Sequence, residues 1–163
     1  MALVNVSTLR AGLAPGLRLI GLDPGAKVIG VALSDATCLL ASPWGSVPRG
    51  KLAAVAEALR RIDAAEGVGG LVVGWPLSMD GTMGPAAQAV RDWAAALSDV
   101  LGWPAALWDE RLSSSAVNRF LIDELDATRR RRAAIVDAMA AAYILQAALD
   151  GSGAERPQAG IRA

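Results

Sequence analysis

A chain of 163 residues, 53% of them hydrophobic and 20% charged, is long and apolar enough to fold as one domain, which excludes an intrinsically disordered protein. Its 16 basic and 16 acidic residues cancel, so it carries no general positive field for nucleic acid, and any such contact must be a local patch. It has no histidine and a single cysteine, Cys38, which removes imidazole catalysis, intrachain disulfides and the usual zinc sites, and points any metal chemistry to oxygen-bound magnesium or manganese.

Residues 1–16 read as a flexible leader ending in Ala14-Pro15-Gly16, without the basic-then-apolar order of a signal peptide. Leu17 to Asp23 has the apolar run of a strand, Pro24 to Lys27 a turn, and Val28 to Asp35 a second strand, which together predict an antiparallel hairpin. A third short strand is expected from Cys38 toward Val47, confined to an edge by Pro43 and Pro48. From Lys51 to Glu66, apolar residues at 52, 55, 56, 59 and 62 have helical spacing. Leu71 to Gly74 is a short buried-type strand, followed by a long loop from Trp75 to Gly84. A second helix opens at Pro85, a residue favoured in a first turn, and stops at Gly102. Ala105 to Trp108 forms the last strand; helices are expected over about 113–125 and 133–149, and residues 151–163 as a flexible tail. The stretch from Ala133 to Leu149 is interrupted by Asp137 and Gln146 and is short for a membrane span, so a cytoplasmic protein with no membrane partner is expected. The order of elements predicts an α/β fold with a mixed sheet and helices on its faces.

Asp23 ends a strand before a Pro-Gly turn, where it either bonds its own backbone or meets a phosphate or metal. Asp137 shares a helical face with positions 133, 134, 140, 141, 144 and 148, all apolar. A carboxylate on such a stripe is costly unless it pairs, for instance with Arg111, or binds a metal. Asp109 and Glu110 end the last strand; successive side chains alternate in face, so one of the two reaches the side of Asp23, and the residues leave open which. Arg129, Arg130, Arg131 and Arg132 precede the last helix, where cations oppose the macrodipole; they suit phosphate contact or a solvated run offset by Asp123, Glu124 and Asp126. In the 75–84 loop, Trp75 suits either base stacking or plugging the core edge.

Four ordered segments resemble the YqgF (RuvX) family of pre-16S rRNA nucleases and Holliday junction resolvase-like proteins. They are Gly21 to Gly25 with Ile29 to Asp35, Val72 to Thr82, Trp108 to Leu112, and Val136 to Ala141 with Ile144 to Gln146. The resemblance implies a ribonuclease-H-like fold over residues 17–150, with three early strands, then two parallel strands, and helices on both faces. It implies a catalytic and metal-binding triad of Asp23, Glu110 and Asp137, holding two Mg2+ or Mn2+ ions. The residues expected at the nucleic acid are then Lys27, Trp75, Ser78, Arg111 and Arg129 to Arg132. Two basic positions of the family fall on Val28 and at or near Met139. The implied activity is hydrolysis of phosphodiester bonds at the 5′ end of pre-16S rRNA by a monomer or homodimer. The alternatives are a Holliday junction resolvase acting on DNA and a nucleic-acid-binding module with a degenerate site. An ATP-binding domain of the actin and sugar-kinase type would need a second related domain, and the chain has no internal repeat.

Overall fold

The computed structural model describes residues 3–112 and 136–151. Its sheet is built from β1 (Leu3–Val4), β2 (Arg18–Pro24), β3 (Val28–Ser34), β4 (Ala41–Pro48), β5 (Val68–Trp75) and β6 (Ala105–Asp109), in the order β1-β6-β5-β2-β3-β4. β2, β3 and β4 are antiparallel neighbours, while β5 and β6 run parallel to β2. Three antiparallel strands followed by two parallel ones on the other side of the first make the expected ribonuclease-H-like sheet. Helices α1 (Val6–Ala11), α2 (Leu52–Glu66) and α3 (Pro85–Leu101) join a fourth helix, α4, over residues 136–151.

Strand alternation divides the core in two. Ile20, Leu22, Ile29, Val31, Leu71 and Val73 point to the layer of α2 and α3. Leu19, Ala32, Val72 and Ala106 point to the layer of α1 and α4, where Ile144 and Leu145 are fully buried. Each of those two side chains contributes about 1.5–3 kcal/mol by leaving water. The amphipathic spacing of α2 holds, with Val55, Ala56, Leu59 and Ile62 buried. α3 starts at Pro85 and ends on Gly102, whose left-handed backbone (φ 73°) sends its N–H back to the Ser98 carbonyl.

Two departures from the sequence reading have simple causes. The leader is structured: β1 pairs parallel with β6, and α1 buries Val6 and Leu9. Arg10 secures it by donating hydrogen bonds to the carbonyls of Leu149 (3.0 Å) and Cys38 (3.3 Å). A six-residue helix shows only one apolar i, i+3 pair, too little periodicity to read. The third strand begins at Ala41, not Cys38, because the Asp35 carboxylate accepts from the N–H groups of Leu39 (2.8 Å) and Leu40 (3.1 Å) and folds that stretch into a turn. β4 is the edge strand that its prolines predict. The expected helix over 113–125 and the tail from 152 onward lie outside the described residues. No helix among the described residues is long and apolar enough to cross a membrane.

Candidate active site

β2 lies in the interior of the sheet, and Asp23 stands near its C-terminal end, opposite Gly30 of β3. By alternation Asp23 shares a face with Leu19 and Gly21, so it looks toward α4. Glycine lets α4 come down onto the sheet at this point. A Cβ on Gly21 would stand 2.7 Å from Leu145 Cβ and 3.1 Å from the Ala141 carbonyl oxygen, and one on Gly30 would fall onto the carbonyl oxygen of Asp137. The helix that carries Asp137 therefore rests on the cross-strand partner of Asp23. Of the apolar stripe read from the sequence, the described positions Ala140, Ala141, Ile144 and Ala148 are buried.

β6 sends Asp109 and Glu110 to opposite sides of the sheet. Ala106 and Trp108 face the α4 layer, whereas Ala105 and Leu107 face the α2 and α3 layer. Asp109 continues the second set and Glu110 the first, where the strand passes into a 3₁₀ turn over Glu110–Leu112. Glu110 Oε2 accordingly lies 3.3 Å from where a Cβ on Gly74 would stand, beside the end of β5. Asp109 instead binds Arg111, whose Nε reaches both carboxylate oxygens at 2.9 Å. That ion pair holds the Asp109 carboxyl below its ordinary range.

Burial raises all three carboxylates, and Asp23 also feels the charge of the other two. Burial, then the charges of Glu110 and Asp137, push Asp23 up to about 6. Glu110 is raised by burial and by the adjacent Asp109, and Asp137 is raised by burial. All three shifts disfavour the ionised forms, as expected where like charges gather out of water. Among the described residues no three acidic, cysteine or histidine side chains already stand in a closed metal-binding cluster. Asp23, Glu110 and Asp137 thus offer oxygen donors only, on the α4 side of the sheet, without forming such a cluster in this structure.

The other expected site residues divide. Lys27 is exposed on the turn after Asp23. Ser78 is exposed in the loop before α3. Trp75 packs on the α2 and α3 core, and its indole N–H donates to the Ala87 carbonyl (3.0 Å), the arrangement of a core plug. Arg111 is engaged by Asp109 and by the carbonyls of Ser78 (3.3 Å) and Met79 (3.0 Å). Sequence reading missed this link between β6 and the loop, for which the opposite charges two residues apart at a strand end were the available signal. Arg129 to Arg132 lie outside the described residues.

A carboxylate group at the strand ends of a ribonuclease-H-like sheet defines a class of fold and site. The family model described as RuvX, Holliday junction resolvase, matches residues 17–151, and the chain belongs to this family. A relative from Gluconacetobacter diazotrophicus, named "Putative pre-16S rRNA nuclease", is 61% identical over 152 residues, covering 93% of this chain and 99% of its own. One of the same name from Gluconobacter oxydans is 58% identical over 158 residues, covering 97% and 99%. Among solved structures, a Thermus thermophilus RuvC in complex with Holliday junction substrate covers 82% of this chain and 93% of its own, at 13% identity and a TM-score of 0.47, a likeness too loose to bear on function.

Proposed function

We propose that this chain is a metal-dependent nuclease that hydrolyses phosphodiester bonds, and that its substrate is the precursor of 16S rRNA. The observation that carries the reading is the Asp23 carboxyl, pushed up to about 6 by burial first and then by the charges of Glu110 and Asp137. Repulsion of this kind is relieved by a cation shared among the carboxylates. Oxygen donors without histidine suit Mg2+ or Mn2+, and Asp23, Glu110 and Asp137 would hold one or two such ions after their side chains turn toward each other. When bound, the ions supply Lewis acidity to the attacking water and to the phosphoryl oxygens.

The protein's own residues do the rest. Asp23, fixed near the end of an interior strand, gives the site a rigid floor, and α4 brings Asp137 over it. Lys27, exposed on the turn after Asp23, meets a backbone phosphate. Hydrolysis leaves a 5′-phosphate and a 3′-hydroxyl. The names of the relatives at 61% and 58% identity support the RNA precursor. The family description favours a second reading, cleavage of a four-way DNA junction. Purified protein with Mn2+, given a labelled pre-16S fragment and a four-way junction beside Asp23→Asn, separates them. The expected result is cleavage of the RNA by wild type alone. Equal cleavage by wild type and variant overturns the reading; junction cutting without RNA cutting selects the second.

A further inference from the structure

We propose that Arg111 is a positioning residue, which clamps the loop between β5 and α3 to the end of β6 and does not bind phosphate; the inference rests on the nuclease reading for its consequence in catalysis. A guanidinium has five N–H donors. In Arg111 the Nε group and one from Nη2 grip Asp109, and Nη1 reaches the carbonyls of Ser78 and Met79. The Arg111 backbone N–H also donates to Asp109 Oδ1 (3.0 Å). The fork on a carboxylate is the geometry in which arginine cannot be replaced by a point charge.

The loop needs such a support. Its own bonds are local: Ser78 N–H to the Thr82 carbonyl (2.9 Å), Gly81 N–H to the Ser78 carbonyl (2.8 Å), and Thr82 N–H to Asp80 Oδ1 (3.0 Å). The bonds from Arg111 join this small closed unit to the sheet. Asp109 also cancels the arginine charge that a phosphate would seek, and it lies on the α2 and α3 side of the sheet, opposite to Asp23 and Glu110. Glu110 sits in the chain between the two partners of the clamp. Holding Asp109 and Arg111 together fixes the backbone from which Glu110 projects, so one device sets both a site carboxylate and the adjoining wall of the nucleic-acid path.

The test uses the full-length protein with Arg111→Ala, Arg111→Lys, Asp109→Asn and the double variant Arg111→Ala/Asp109→Asn. Amide hydrogen exchange is read at Ser78, Gly81 and Thr82, and kcat and KM are measured on a labelled pre-16S RNA fragment with Mn2+. A clamp predicts that Arg111→Ala and Asp109→Asn each speed exchange at these amides by about tenfold or more, the loss of a charge-assisted bond. The double variant is expected to be no faster than either single one. Both single variants lower kcat more than they raise KM, and Arg111→Lys restores neither exchange nor kcat. A phosphate contact predicts the reverse for Asp109→Asn: a freed arginine, a lower KM and unchanged loop exchange, which would overturn the proposal. Full rescue by lysine would overturn it too. The exchange readout needs no substrate, so a wild type that cuts no RNA sinks the nuclease reading while the clamp is still decided.

Discussion

Replacing Asp23 by Asn should make the metal-free protein more stable at neutral pH, even though it removes the residue proposed to matter most for cleavage. The Asp23 carboxyl has an ordinary value of 3.8 and stands at about 6 in the folded chain. At 1.36 kcal/mol per pH unit, this rise corresponds to a cost of about 3 kcal/mol when the group is ionised. Below about pH 4 the carboxyl is protonated in both native and unfolded chains, and the cost is absent. As pH rises, the unfolded chain releases its proton first, near 3.8, and the native chain follows near 6, so native stability falls through that window and stays lowered above it. Asparagine cannot ionise and escapes the loss. In urea titrations with EDTA at about pH 7.5, Asp23→Asn should exceed wild type by up to about 3 kcal/mol, which for a domain of this size is roughly 6–12 °C in Tm. The difference should close by about pH 4. Equal midpoints at neutral pH, or a gain that persists unchanged in acid, would refute the burial and charge crowding of Asp23.

Other outcomes follow from the same geometry. Mn2+ should raise the Tm of wild type, read by differential scanning fluorimetry, and the rise should be lost in Asp137→Ala. Gly30→Ala should cost about 1–3 kcal/mol in urea unfolding, because its methyl group meets the Asp137 backbone carbonyl, and should lower nuclease activity by lifting α4. Leu9→Ala should cost about 2–5 kcal/mol with an unchanged denaturant slope, since Leu9 is 2% exposed and belongs to the core under α4.

The hairpin of β2 and β3, the edge character of β4 and both termini of α3 were legible because each rests on local chemistry: apolar runs, prolines and a capping glycine. Asp137 was legible for a different reason, as the one carboxylate on an otherwise apolar helical stripe. Which of Asp109 and Glu110 faces α4 depends on the packing of Trp108 and Ala106, not on the residues at the strand end. The family resemblance implies a nucleic-acid contact for Arg111. Only the fold shows that the loop carbonyls of Ser78 and Met79 come within its reach. The order of the first residues was not legible because α1 is held by Arg10 on the Leu149 carbonyl and by packing of Val6 and Leu9 with α4, more than a hundred residues away in sequence.

The seat of α4 on Gly21 and Gly30 has an evolutionary consequence. Every residue that replaces glycine is larger, so these two positions admit no conservative exchange: even alanine separates helix from sheet and carries Asp137 away from Asp23. The spacing of the acidic group is thus recorded as missing atoms on the sheet, and lineages that lost the activity are expected to lose the acids first, with these glycines still held by the packing of helix on sheet.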